Sequence, residues 1–119
     1  MEKFYQKCSN IPNTLIVMKT EFDKIIGGYT PLIWRKYEGA IKNRLEDPTL
    51  ESFIFSVSEK EKLQLKEKEN ATYYLSYAPG PRFGKDGCAD LWICDQSNTK
   101  ADSYVFGNMS YNNPKYSSC

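Results

Sequence analysis

The chain of 119 residues has the length of one domain, enough to hide roughly two thirds of its unfolded surface around a real core. With 40% hydrophobic and 26% charged residues, and only seven Gly and six Pro, the composition excludes a disordered, collagen-like or disulfide-scaffold chain. Sixteen basic against 15 acidic residues leave a formal charge of +1, so no bulk electrostatic pull toward nucleic acid or acidic lipid is expected. No apolar run approaches the ~18 residues of a membrane span, and Met1 to Lys7 is too polar for the core of a signal peptide. A cytoplasmic chain without membrane insertion is the expectation.

Extended segments follow one another along most of the sequence. Thr14 to Thr20 (TLIVMKT) is apolar and β-branched, punctuated at its start by Ile11-Pro12-Asn13, and predicts a strand. Ile25-Ile26 resumes the pattern after Glu21 to Asp23, which predicts a hairpin turn. Gly27-Gly28 then suggests a bulge or a close backbone approach, and Pro31 takes the chain out of the sheet before Trp34. From Trp34 to Asp47, apolar Trp34, Tyr37, Ile41 and Leu45 fall on one helical face, and Asp47-Pro48 stops the segment. A short helix or irregular excursion is expected there.

Ser52 to Val57 (SFIFSV) and the alternating Lys62 to Lys66 (KLQLK) predict a second hairpin, turning at Ser58 to Glu61. The interleaved charges of Glu59 to Glu69 nearly cancel and read as a solvated hairpin edge. Thr72 to Tyr77, Ala89 to Cys94 and Ser103 to Phe106 predict further strands. The Gly- and Pro-rich stretch Ala78 to Gly87 reads as the main loop, and the polar tail Gly107 to Cys119 offers little to bury. Short strands at hairpin spacing predict a mainly β (α+β) domain: an antiparallel β-sandwich of two sheets with few short flanking helices.

The chain contains no histidine. That removes the commonest general base, the His-activated nucleophiles and the commonest metal ligand, so no catalytic residue, metal or cofactor is expected. Cys8, Cys88, Cys94 and Cys119 lack Cys-x-x-Cys spacing and are expected reduced. Cys88 and Cys94 would share one face of a strand as small buried hydrophobes. Asn70-Ala71-Thr72 and Asn108-Met109-Ser110 fit the glycosylation pattern, which unexported chains carry by chance.

Arg82 and Lys85 sit in a loop that lacks the spacing of a phosphate-binding motif. The carboxylate pairs Glu21 with Asp23, Asp86 with Asp90, and Asp95 with Asp102 are explained more cheaply as turn residues. Asp95 to Asn98 lacks the later Gly and Glu of a calcium loop. Phe53, Phe55, Tyr73, Tyr77 and Trp92 fall at alternating strand positions, where core packing explains them better than stacking on single-stranded nucleic acid.

Five blocks in order, Phe4-x-x-Lys7-Cys8 with Pro12-x-Thr14-Leu15 and Lys19-Thr20, then Ile26-Gly27-Gly28-Tyr29-Thr30 with Trp34, then Ser52 to Ser56, then Gly80-Pro81-x-Phe83-Gly84, then Asp90-Leu91-x-Ile93 with Ser103-Tyr104 and Gly107 to Tyr111, together resemble the TLDc domain. The resemblance covers about residues 4–111, with 112–119 as a tail, and is strongest to protist forms. It implies a sandwich of two antiparallel sheets with short flanking helices. It also implies protection against oxidative stress and, as protein partner, subunits of the vacuolar proton pump (V-ATPase), with no enzymatic activity or cofactor. A full TLDc domain has helices before the Phe4 block and a further closing strand, so the resemblance implies a single, partial domain.

The expectation is therefore a non-enzymatic interaction module that presents its main loop to a partner, with Arg82, Phe83 and Lys85 as exposed contact residues. Two rival readings stay open. One is a carboxylate-based enzyme with Asp86 and Asp90 at the mouth of a small pocket near residues 79–90; the other is an extracellular lectin-like sandwich carrying the two sequons.

Overall fold

A computed structural model of the chain describes residues 2–19, 23–35, 42–75, 80–85, 88–93, 104–105 and 111. The chain enters through a helix, α1 (Glu2–Cys8), followed by β1 (Thr14–Lys19), β2 (Ile25–Thr30), β3 (Lys42–Leu45), β4 (Phe53–Ser56) and β5 (Glu61–Gln64). A single 3-10 turn, Lys68–Asn70, leads to β6 (Thr72–Leu75), β7 (Arg82–Lys85), β8 (Cys88–Trp92) and β9 (Tyr104–Val105). The strands form two antiparallel sheets, ordered β1-β2-β4-β5 and β3-β6-β7-β8-β9, the sandwich expected from the sequence. No helix among the described residues is long and apolar enough to cross a membrane.

Period-two burial places the first sheet. Along β1, Ile16 and Met18 turn toward the core while Leu15 and Val17 face solvent. β2 runs unbroken from Ile25 to Thr30, in regular register with β1 from Lys19↔Ile25 to Thr14↔Thr30. Its glycine pair is therefore no bulge but a close approach from both faces. A Cβ at Gly28 would lie 2.6 Å from Cζ of Phe83, and one at Gly27 would lie 2.7 Å from Cζ of Phe55 and against the Ile16 carbonyl oxygen.

Three expectations are corrected. The segment expected as a short helix or irregular excursion, Trp34 to Asp47, ends in a strand: residues 42–45 form β3, which pairs with β6 from Lys42↔Leu75 to Leu45↔Thr72. Half-buried Asn43 and Leu45 alternate there with exposed Arg44 and Glu46, so pairing with β6 imposes a period of two on this end of the segment. Tyr37 and Ile41 lie outside the described residues. Next, the stretch read as the main loop contains a strand, β7, which is paired with both β6 and β8. Last, the tail does bury something: Tyr111 is fully buried and bridges to Leu65.

The core is aromatic and lies between the sheets. Trp34 packs edge-on against Phe4 at 5.3 Å and Phe83 at 5.6 Å, and Phe83 meets Tyr111 at 6.1 Å. Tyr5 meets Tyr74 at 5.8 Å, so two adjacent residues of α1 tie the helix to the end of the sandwich. Such ring pairs each contribute about 0.5–1.5 kcal/mol beyond area burial. A parallel bridge between Ser9 and Trp34, with Asn10 N donating to Trp34 O at 2.8 Å, anchors the same corner. Of the aromatics expected in the core, Phe53, Phe55 and Trp92 are only half-buried, and Tyr73, though buried, lies outside the core cluster. Tyr77 lies outside the described residues.

Gly28→Ala drives a methyl group into the Phe83 ring, and overpacking of this kind costs about 1–3 kcal/mol. The expected result is a lower urea midpoint with an unchanged m-value, measured by equilibrium denaturation.

Candidate interaction site

The residues singled out in the sequence do not form an exposed loop. Arg82 is 5% exposed and Phe83 is fully buried. They are strand residues because Arg82 pairs with Trp92 and Phe83 with both Thr72 and Leu91. The Arg82 guanidinium lies 4.5 Å from the centre of the Trp92 ring, a buried cation–π contact. Lys85 closes β7. Arg82 and Phe83 thus hold the sandwich together instead of offering themselves to a partner.

Asp90 is likewise buried and not at a pocket mouth. The register steps from Phe83↔Leu91 to Gly84↔Ala89, which leaves Asp90 as the extra residue of a bulge. Gly84, at φ 103, supplies the backbone conformation opposite it. Asp86, Glu21, Asp95 and Asp102 lie outside the described residues, as do Cys94, Cys119 and the second sequon. Cys8 is a free thiol, half-buried at the end of α1. In the first sequon, Asn70 donates from its side-chain amide to Glu67 at 2.8 Å, while Ala71 and Thr72 are fully buried.

A buried polar network that the sequence reading missed is centred on Asp47. Its carboxylate accepts from Thr49 N at 3.1 Å and Oγ1 at 2.6 Å, and from Ser52 N at 2.9 Å and Oγ at 2.8 Å. Ser52 Oγ also lies 2.9 Å from Thr30 Oγ1. The single Ser52 proton goes to the carboxylate, so Thr30 is the donor between the two hydroxyls. Burial alone would raise the Asp47 pKa, but the hydrogen bonds from Thr49 and Ser52 outweigh it and hold the group below its ordinary 3.8. The signal was present as Asp47-Pro48-Thr49, an Asx-turn pattern that the helix reading absorbed as a stop.

Tyr111 extends this polar layer. Its hydroxyl donates to Ala71 O at 2.7 Å, the carbonyl that also accepts from Gly84 N at 3.3 Å. Burial and then the negative charge of Asp90 push the phenol well above its ordinary 10.0, with Asp47 adding to the rise and Ser52 opposing it. The hydroxyl therefore stays protonated and remains a donor. These groups stitch the turn at 47–52 and the start of β6 together; they are engaged with one another inside the protein.

What the first sheet does expose is its outer face. Two cross-strand rows run over it: Leu15, Tyr29, Phe53 and Gln64, then Val17, Gly27, Phe55 and Lys62. Leu15 and Val17 are 59% and 57% exposed. Tyr29 and Phe53 pack ring on ring at 5.3 Å, and Phe53 meets Phe55 at 6.2 Å. Gly27 is required here because the Phe55 ring lies over it. Lys62 rests its ammonium 4.3 Å from the centre of the Phe53 ring. At one end of the face, Lys19 pairs with Asp23 at 3.3 Å and Lys24 with Glu59 at 3.6 Å. The surface is apolar, aromatic and rimmed by paired charges, the composition of an interaction face.

The TLDc domain model matches residues 1–118. The chain belongs to the TLDc family. Searches of curated proteins and of solved structures returned no match. The two-sheet TLDc sandwich described here thus carries its exposed aromatic rows on β1, β2, β4 and β5, while the glycine-rich block that helps to mark the family is buried as β7.

Two titrations probe the polar network. Asp47 has a lowered pKa in the folded state, so its contribution is present above 3.8 and is lost as the pH falls through the folded value. Asp47→Asn is expected to cost about 2–3 kcal/mol at neutral pH and to flatten the acid limb of stability against pH, followed by denaturation at each pH. Tyr111 has a raised pKa, so its contribution is present below 10.0 and is lost as the pH rises beyond it. Tyr111→Phe is expected to flatten the alkaline limb and to cost about 1 kcal/mol at neutral pH.

Proposed function

We propose that this TLDc chain works by binding, and that the outer face of its four-stranded sheet is the surface it presents to a protein partner. One observation carries the reading: the exposed cross-strand rows Leu15-Tyr29-Phe53 and Val17-Gly27-Phe55, flanked by Lys62. Aromatic rings held rigid by one another lose little side-chain freedom on docking, which suits them as anchors. The Asp47 carboxylate, the Ser52 and Thr30 hydroxyls and the Tyr111 phenol are committed to internal hydrogen bonds, and the carboxylate-enzyme reading gains nothing from an Asp90 enclosed in a bulge.

The partner class we propose rests on the resemblance alone. The resemblance drawn from the sequence implies a cytoplasmic role in resistance to oxidative stress, exercised through subunits of the vacuolar proton pump. In this reading the aromatic rows seat against an apolar patch on a pump subunit, and Lys62 meets a carboxylate at its rim.

The double substitution Phe53→Ser with Lys62→Glu removes one ring and reverses the flanking charge without touching the core. Tagged wild-type chain is expected to capture proton-pump subunits from its native cell extract, and the double variant to capture at least roughly tenfold less. Circular dichroism and thermal melting check that the variant is folded. Undiminished capture of pump subunits by a folded variant would remove the face from the proposal.

A further inference from the structure

Among the described residues, β1 is the terminal strand of its sheet, hydrogen-bonded on one side only, to β2. The direction of its remaining backbone groups follows from the ladder. Val57 N donates to Ile25 O at 2.8 Å, which makes these two a narrow pair and turns the backbone groups of Ile25, Gly27 and Tyr29 toward β4. Ile26, Gly28 and Thr30 therefore turn theirs toward β1, where they meet Met18, Ile16 and Thr14. Leu15, Val17 and Lys19 are left with their N–H and C=O groups facing the open side. Leu15 and Val17 are also the most exposed large apolar side chains among the described residues.

The two ends of this sheet are not equivalent. β5 closes the far end with exposed Lys62 and Gln64, followed by exposed Lys66, and lysines along an edge discourage strand addition. β1 has neither charge nor proline from Thr14 to Met18. An edge with open backbone groups and apolar side chains is a template for another strand. The template has a defined start, since Asn13 at φ 56 is left-handed and cannot continue the ladder.

We propose that two copies of this chain pair antiparallel along β1, centred on Val17, and join their four-stranded sheets into one continuous sheet. Val17 then faces the partner's Val17 in a narrow pair, and Leu15 faces the partner's Lys19. This register engages all three outward-turned residues of both strands. Sliding it toward the N-terminus brings in Asn13, and sliding it toward the C-terminus brings the two Lys19 ammonium groups together. In the centred register each Lys19 lies beside an apolar residue and keeps its own Asp23, 3.3 Å away. The arrangement is two-fold and closes at two chains, because the same strand serves both sides. Side chains of the outer face stay on that face, so pairing leaves the proposed docking surface open and extends it across the dyad.

Cysteine placed on β1 reads the register directly. In a narrow pair the Cα atoms are about 5.5 Å apart, within the ~4.4–6.8 Å reach of a disulfide. Val17→Cys chains should therefore cross-link under mild oxidation to twice the chain mass. Leu15→Cys, displaced from its own copy by roughly 14 Å of strand, should stay at the background level of the unsubstituted chain. Sedimentation equilibrium of the unsubstituted chain from micromolar to millimolar should show a concentration-dependent dimer. Val17→Lys, which opposes two cations at the dyad, should weaken that dimer at least roughly tenfold while circular dichroism stays unchanged. A single-chain mass at every concentration overturns the proposal, and it is the outcome expected if a strand of a different protein is the true occupant of the edge. Equal cross-linking of the two cysteine variants, or a dimer indifferent to Val17→Lys, overturns it as well.

Discussion

The sandwich depends on one contact across its middle, the Phe83 ring lying in the space that a side chain at position 28 would fill. Phe83 in turn meets Trp34 and Tyr111, so the ring sits where β2, the exit from β2 and the tail converge. The bulge at Phe83 and Gly84 adjusts the strand pairing at that same point. A large ring on one sheet and a missing Cβ on the other form a lock that neither residue could make alone.

The polar layer does a different job. Asp47 gathers four donors from Thr49 and Ser52 and fixes a turn in which Leu50 adopts φ 57. Tyr111 reaches Ala71, whose carbonyl also receives Gly84, so one backbone oxygen joins the tail, the start of β6 and β7. Buried groups satisfied in this way specify one arrangement of the core, since any other would leave them unpaired. These residues bear chemically versatile side chains, yet each of these groups is spent inside the fold.

Much of this was legible in the sequence where local pattern and tertiary environment agree. β1 and the β4–β5 hairpin stood out because β-branched or alternating residues were bounded by turn formers, and the sandwich followed from their spacing. Legibility failed where one pattern had two physical causes. Glycine and proline around Phe83 signal a loop when they relieve turns, but here Gly84 serves a bulge inside a buried strand. The run Phe53-Ile54-Phe55 is apolar on both faces, so a reading that sends the larger rings to the core has no local check; Ile54 is the inward residue, and the rings lie on the outer face. Tyr111 was hidden by polar neighbours, because burial of a single anchor leaves no periodic trace. Only the joint order of the five family blocks, which local pattern does not contain, identified the family.

The seat of Tyr111 has a further consequence for the order in which the protein is made. The ring completes a wall around Phe83, forty residues beyond the Ala71 carbonyl that its hydroxyl bonds. Until position 111 has left the ribosome, the hairpins of the first sheet can form but the aromatic centre is open on one side. Contacts so distant along the chain slow the search for the native state. A chain that has not yet seated Tyr111 therefore leaves that side of the Phe83 ring uncovered, and exposed apolar surface of this kind makes an incompletely folded chain prone to association.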